Sequence, residues 1–312
     1  MRYGPETPDE TYVSHAFDEA SFDTGEVTIN YAVAGDPDRP ALLLVPAQTE
    51  SWWGFEQAMT LLADDFQVFA VDLRGQGRST RTPGRYTIDN FGNDLVRFIA
   101  GRIARPTIVS GTSSGGVVSA WLSAYAPPGM IRAACYEDPP LFASEIDPAY
   151  GPSLRQGLGP MLALLNKYLG DQWSIADWPG LCAAARNELP PFMSGILGID
   201  GDTPPQRLKE YDPEWGRAFA TGTVSASCDH ERMLSAVKVP VLFTHHFRRI
   251  DESTGALQGA ISDLQARRVG ELVSAAGQRF DYRSFPQAGH LMHALDPALF
   301  VTTLREWMAT LP

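Results

Sequence analysis

Cysteine is scarce in this sequence, and long hydrophobic runs are missing. Among 312 residues the three cysteines, Cys135, Cys182 and Cys228, are scattered without C-x-x-C spacing. This usage excludes a disulfide-stapled scaffold and indicates reduced thiols. No apolar run approaches the roughly 20 residues that span a bilayer. No basic start is followed by an apolar stretch, so we expect no secretory leader and a cytoplasmic protein.

Positive charge is also in short supply. The chain has 25 Lys and Arg residues against 37 Asp and Glu residues, a net charge of −12. Such a surface repels nucleic-acid phosphates and anionic membranes, so we expect neither as a partner. The hydrophobic share of 44% is ordinary for a globular protein with a sizeable core.

What is present is an alternation of short apolar runs with longer amphipathic stretches. Residues 41–46 and 66–72 are almost continuously apolar, as in strands buried on both faces, whereas residues 26–35 alternate like a half-exposed antiparallel strand. Further strands are predicted at 106–111, 131–137, 239–246 and 279–285, and helices at 55–65, 87–104, 115–126, 261–277 and 296–311. The alternation predicts an α/β fold with a doubly wound, mostly parallel sheet.

Residues 139–236 interrupt this rhythm. They are rich in Pro and Gly, carry Trp173, Trp178 and Trp215, and contain few strand-like runs. An insert of this length between two core strands is expected over the carboxyl ends of the strands, where such sheets bind ligands. We therefore predict a core of residues 1–138 and 237–312 with a helical cap at 139–236; an interface or a decorative insert is the alternative.

A glycine-rich turn at residues 108–118, IVSGTSSGGVV, contains a candidate nucleophile. Only Ser113 has glycine at both −2 and +2, as the G-x-S-x-G turn of α/β-hydrolases requires for a strained strand-to-helix bend. The following helix directs free N–H groups, including that of Ser114, towards developing negative charge. A phosphate-binding loop would need a lysine that is absent here. We predict that Ser113 is a nucleophile.

Six histidines could supply the base. His290 lies in a short loop between the last predicted strand and the last helix, where the α/β-hydrolase order places it. His293, three residues further on, could form a two-histidine metal pair with His290, but no third ligand is near. We predict His290 as the base and no metal. The other four are His15, His230, His245 and His246.

The acid of the triad stays open at this point. Chain order allows Glu137 or Asp138, at the end of the strand that follows the elbow helix, or Asp251, after a later strand. The later position is the usual one, but the loop around Asp251 holds Arg248 and Arg249, which could simply pair with it. From the residues alone, Glu137 and Asp251 are about equally favoured.

The loop after the first apolar strand should complete the site. Residues 46–53, PAQTESWW, have no His-Gly pair, so the backbone N–H of Gln48 is the expected second oxyanion donor beside that of Ser114. Trp52 and Trp53 could line the cleft or pack in the core. The D-x-R-G-x-G-x-S turn at 72–79 is interpreted as structural.

From about Val13 to the C-terminus the chain resembles the zearalenone hydrolases (zearalenone lactonases), most closely the longer bacterial members. The strings that carry the resemblance are QTESWWGFEQ, VFAVDLRGQGRST, DNFGNDLVRFIA, DQWSIADW, KEYDPEWGRAF and THH. The resemblance implies that the acid is Glu137, in Cys135-Tyr136-Glu137, and that the cap residue Trp215 packs on the substrate. Shorter fungal members carry Gly where this chain has Gln48, and their cap is shorter.

The family implies hydrolysis of a macrocyclic resorcylic-acid lactone, zearalenone, through an acyl-enzyme. Ser113 would attack the ring ester, His290 would move the proton, and Glu137 would hold the imidazole. The resemblance implies no cofactor and a homodimer. A general carboxylesterase or a C–C bond hydrolase with the same triad is one alternative. A receptor-like protein of the same fold, which binds a small apolar ligand with negligible turnover, is another.

Overall fold

The structure is a computed structural model that describes residues 14–150, 154–170, 177–189, 198, 204–253 and 255–311. Eight strands form one sheet in the order β1-β2-β4-β3-β5-β6-β7-β10. They are β1 (Glu19–Asp23), β2 (Thr28–Ala34), β3 (Ala41–Val45), β4 (Gln67–Val71), β5 (Thr107–Thr112), β6 (Ile131–Glu137), β7 (Val241–His245) and β10 (Phe280–Ser284). A separate hairpin pairs β8 (Arg249–Ile250) with β9 (Leu257–Gln258).

The sheet is antiparallel at one edge and parallel elsewhere. β2 pairs antiparallel with β1 and β4, and every pair from β4 through β3, β5, β6 and β7 to β10 is parallel. All five residues of β3 and all six of β5 are buried, because helices cover both faces at the middle of the sheet. The predicted α/β-hydrolase fold, with its mostly parallel sheet, is confirmed.

Helices connect the strands and cover the sheet. In the described parts of the chain they are α1 (Glu56–Leu62), α2 (Ile88–Phe98), α3 (Ser114–Tyr125), α4 (Leu154–Leu169), α5 (Trp178–Glu188), α6 (Gln206–Lys209), α7 (Pro213–Thr221), α8 (His230–Leu234), α9 (Asp263–Ala275), α10 (Met292–Leu295) and α11 (Pro297–Met308). A 3₁₀ turn at Trp52–Phe55 precedes α1, and a π-helical turn at Ile99–Ile103 follows α2. Among the described residues, none of these helices is both long and apolar enough to cross a membrane.

Between β6 and β7 the chain forms helices α4 to α8. This stretch is attached to the rest by backbone hydrogen bonds, from the N–H of Ile88 to the carbonyl of Val224 and from the N–H of Asp212 to the carbonyl of Gly75. Trp178 and Trp215 are buried, and Trp173 lies outside the described residues. The division of the chain into a core and a cap at 139–236 stays a prediction.

Candidate active site

Ser113 lies on the tight turn between β5 and α3. Its φ of 53° and ψ of −120° form a strained conformation for a residue with a side chain. The turn is held by a 2.8 Å hydrogen bond from the N–H of Ser113 to the carbonyl of Glu137. A Cβ at Gly111 would lie 2.1 Å from the carbonyl oxygen of Gly115, and one at Gly115 would lie 2.3 Å from that of Val45. The glycines on both sides of Ser113 are therefore required by direct contacts.

Two backbone N–H groups beside this turn are unused. Among the described residues, the N–H groups of Ser114, at the start of α3, and Gln48, after β3, have no hydrogen-bond acceptor. The side chain of Gln48 is occupied, because its amide donates to the hydroxyl of Tyr211 at 2.6 Å. Free N–H groups next to a strained serine can donate hydrogen bonds to the negatively charged oxygen of a tetrahedral intermediate.

The imidazole of His290 pairs with Asp138, not with Glu137. Nδ1 of His290 lies 2.6 Å from Oδ2 of Asp138, whose other oxygen accepts a hydrogen bond from the N–H of His246 at 3.0 Å. Asp138 is 1% exposed, whereas 42% of the His290 side chain is open to solvent. The structure therefore contradicts the expected contact between Glu137 and His290. Asp138, the next residue along the chain, makes this contact instead.

The reason for this exchange of partners lies at the end of β6. Consecutive side chains at a strand end point in different directions, so the adjacent carboxylates cannot face one histidine together. Asp138 leaves the strand with a φ of 43°, and its N–H donates to the carbonyl of Thr244 on β7 at 2.9 Å. This kink directs the carboxylate of Asp138 towards the loop that carries His290.

Glu137 pairs with His293 beneath this loop. Both carboxylate oxygens lie 3.1 Å from Nδ1 of His293, and the N–H of His293 donates to Oε1 at 3.0 Å. The hydroxyl of Thr112 also donates to the Glu137 carboxylate. The side chains of His293 and Glu137 are completely buried.

The pKa values of His290 and Asp138 favour an ion pair. Burial raises the pKa of Asp138, but the hydrogen bond and charge of His290 outweigh burial and hold it below its ordinary value. Desolvation likewise lowers the pKa of His290, but Asp138, with smaller contributions from Glu137 and Glu50, raises it above 6.5. Asp138 therefore stabilises the imidazolium form of His290.

His246 clamps the loop that carries His290. Its Nδ1 lies 2.9 Å from the carbonyl oxygen of Gly289, and its Nε2 lies 3.0 Å from the hydroxyl of Thr244. His246 directly follows β7, the position from which α/β-hydrolases usually supply the acid. From the sequence, His246 could shape the pocket or be structural, because it ends a predicted strand.

Asp251 lies in the β8–β9 hairpin at the surface. Its carboxylate accepts hydrogen bonds from the N–H and hydroxyl of Ser253, and Arg248 pairs with Asp263 at 2.5 Å. Since Asp138 is the carboxylate that contacts His290, the geometry gives Asp251 no part in orienting the imidazole.

The aromatic residues singled out in the sequence are mostly packing residues. Trp215 is 1% exposed, and its ring lies 4.6 Å from that of Phe91 and 6.3 Å from that of Tyr86. Trp52 is fully buried. Trp53 is half-buried, and its indole N–H donates a hydrogen bond to the carboxylate of Glu210. Contact between Trp215 and a substrate stays a prediction.

Residues 42–303, most of the chain, match the profile of the Alpha/beta hydrolase family. The chain belongs to this family. Solved α/β-hydrolases share its fold over nearly its whole length. E-2-(acetamidomethylene)succinate hydrolase superposes with a TM-score of 0.67 and 17% identity, covering 94% of this chain and 100% of that one. The enol-lactonase of Burkholderia xenovorans gives 0.65 and 16%, covering 93% and 100%.

Curated relatives match over shorter stretches. The 3-oxoadipate enol-lactonase 2 of Acinetobacter baylyi is 30% identical over 102 residues, which are 33% of this chain and 38% of that protein. Epoxide hydrolase 4 of Mus musculus is 28% identical over 104 residues, 33% of this chain and 29% of its own length. The matched part of this α/β-hydrolase thus spans well under half of these relatives.

Proposed function

We propose that this α/β-hydrolase is a serine ester hydrolase with Ser113 as nucleophile, His290 as base and Asp138 as the orienting acid. The observation that carries the proposal is the pairing of a solvent-open His290 with a buried Asp138. Together with a strained serine at the adjacent strand end, this arrangement has the three roles of a catalytic triad. Asp138 replaces Glu137, which the resemblance implied as the acid.

The first half of the reaction acylates Ser113. Nε2 of His290 removes the proton of Oγ as that oxygen attacks the ester carbonyl, and the carboxylate of Asp138 stabilises the resulting imidazolium. The carbonyl oxygen becomes an oxyanion that accepts hydrogen bonds from the N–H groups of Ser114 and Gln48. Removing one such donor typically costs about 10²–10³ in kcat.

The second half releases the product. His290 returns its proton to the leaving alkoxide as the ester C–O bond breaks, which leaves the acyl group on Ser113. In a lactone the new alcohol stays tethered to that acyl group. Water, deprotonated by His290, then attacks the acyl-enzyme and releases a hydroxy acid.

For the substrate we infer a neutral macrocyclic lactone of the zearalenone type. Three points support this proposal. They are the resemblance to zearalenone hydrolases that the sequence suggests, a net charge of −12 that disfavours anionic esters, and a relative that is itself named an enol-lactonase. Recognition of a large apolar ring should come from aromatic residues of the predicted cap.

Incubation with zearalenone and, separately, with p-nitrophenyl butyrate tests this proposal, with products identified by mass. We expect the ring-opened hydroxy acid, and a kcat/KM for zearalenone well above that for the simple ester, because contacts to the whole ring position the carbonyl. Ser113→Ala should lower turnover about 10⁴-fold or more, whereas the exposed Ser253→Ala should leave it unchanged.

Other results would support other functions. Equal kcat/KM values for both esters would support a general carboxylesterase. Tight zearalenone binding, with turnover no faster than in Ser113→Ala, would support a receptor-like protein.

A further inference from the structure

The buried imidazole of His293 lies between the turn that carries Ser113 and the loop that carries Gln48. Its Nδ1 faces Glu137, whose backbone carbonyl accepts the N–H of Ser113 at 2.8 Å. Its Nε2 lies 3.5 Å from Oε1 of Glu50. One ring therefore contacts both the elbow after β5 and the loop after β3.

Glu50 in turn fixes the backbone of that loop. Its Oε2 accepts the N–H of Ala47 at 3.0 Å, and its own N–H donates to the carbonyl of Ala47 at 3.2 Å. Gln76 donates a further hydrogen bond to the same carbonyl at 2.7 Å. The Ala47 carbonyl and the Gln48 N–H belong to one planar peptide group, so Glu50 and Gln76 together set the direction in which that N–H points.

Charge explains why a histidine stands between these carboxylates. Two carboxylates buried side by side repel each other unless a cation lies between them. Burial lowers the pKa of His293, but the charges of Glu137 and Glu50 outweigh it and raise that pKa to about 10. The ring of Phe55 stacks on the imidazole at 4.1 Å and holds its plane.

We propose that His293 is a positioning residue of the oxyanion hole, whose imidazole, held between Glu50 and Glu137, fixes the Gln48 N–H relative to the Ser114 N–H. This inference rests on the proposed function of Ser113. His293 is fully buried, so it acts through its contacts with Glu50, Glu137 and the hydroxyl of Thr112. It deepens the proposed reaction by assigning a role to the second histidine of the G-H-x-x-H run at 289–293.

The test is His293→Gln, assayed with the better ester of the two above. We expect kcat to fall by about 10²-fold, the effect of losing one oxyanion donor, with KM within about threefold. A trifluoromethyl ketone that adds to Ser113 places an oxyanion in the same hole, so its inhibition constant should weaken by a similar factor. The control His230→Gln changes another fully buried histidine, in α8, and should leave both quantities unchanged.

A folded His293→Gln enzyme with unchanged kcat and unchanged ketone affinity would overturn the positioning role. If His293→Gln does not fold, Glu50→Gln is the variant to test. It removes the ion pair between Glu50 and His293 but keeps the volume of the Glu50 side chain. Unchanged kcat and ketone affinity in that variant would also overturn the proposal. Loss of turnover in Ser113→Ala establishes serine hydrolysis separately, so failure of the His293 proposal is distinguishable from failure of the proposed function.

Discussion

Asp138 illustrates how a single backbone angle selects the partner of a histidine, here His290. The residue leaves β6 with a φ of 43°. Two hydrogen bonds hold this turn: the N–H of Asp138 donates to the carbonyl of Thr244 on β7, and its carboxylate accepts the N–H of His246. An aspartate tolerates this conformation better than most residues, because its short polar side chain can bond locally. The carboxylate is therefore fixed before any substrate arrives.

Replacing each carboxylate by its amide should separate the roles of the two adjacent acids. Asp138→Asn should lower kcat by about 10⁴-fold, as expected for the group that orients the imidazole. Glu137→Gln should cost about 10²-fold, because Glu137 acts through His293 and the elbow. Asp251→Asn, in the surface hairpin, should change kcat less than threefold. Single-turnover rates on variants with native circular dichroism would make the comparison; a Glu137→Gln loss larger than that of Asp138→Asn would restore Glu137 as the acid.

The raised pKa of His290 predicts the pH dependence of the reaction. The base must be neutral to accept the serine proton, so kcat/KM should rise with pH through the His290 pKa, which lies above 6.5. Asp138→Asn removes the negative charge that stabilises the imidazolium, so the residual activity should rise at a lower pH than in the wild type. A pH–rate profile of both proteins measures the shift. An unmoved midpoint would show that another group controls this limb.

At the scale of elements, the β5–α3 turn requires close approach of three backbone segments. A Cβ at Gly115 would lie 2.3 Å from the carbonyl of Val45, on the neighbouring strand β3, and backbone cannot yield as a flexible side chain can. Gly115→Ala should therefore lower the free energy of unfolding by about 1–3 kcal/mol or more, and abolish turnover. Urea unfolding measures the first effect. The control Gly159→Ala, in α4, adds a Cβ with nothing within 4 Å and should destabilise much less.

The sequence predicted the main elements of the sheet because the apolar runs of its central strands are nearly continuous. The predicted strand at 131–137 is observed as β6, and the predicted nucleophile turn lies between β5 and α3. β1 was not predicted, since its alternation is mostly exposed, and β8 and β9 are only two residues long each. The helix predicted at 87–104 ends as α-helix at Phe98 and continues as a π-helical turn, which periodicity does not distinguish.

The candidate site was only partly predictable for a different reason. Ser113 and His290 follow from motif and chain order, which are local. The partner of His290 depends on the direction in which each carboxylate points at the end of β6. Glu137 and Asp138 are adjacent in the chain but point to different histidines, and sequence patterns do not show these directions. The link from His293 to Glu50 joins residues far apart in the chain and has no sequence signal of its own.

At the scale of the whole molecule, neighbouring strands of the sheet supply the site in order. The sheet order β3-β5-β6-β7-β10 places Gln48, Ser113, Asp138, His246 and His290 after successive strands, at their carboxyl ends. Each group therefore comes from a loop that follows a parallel strand, and of these strands only β10, at the edge of the sheet, is not buried. This is the edge at which open α/β sheets bind ligands.

The exposure of His290 makes one imidazole chemically distinct from all the others. All six histidines lie among the described residues; the side chain of His15 is 8% exposed, and His230, His245, His246 and His293 are fully buried. Diethyl pyrocarbonate, which acylates neutral imidazoles that it can reach, should therefore modify His290 first. Activity should disappear as one ethoxycarbonyl group per chain is incorporated, hydroxylamine should restore it, and bound lactone should delay it. Incorporation of several groups before activity declines would mean that the buried imidazoles open to solvent faster than the packing around them implies.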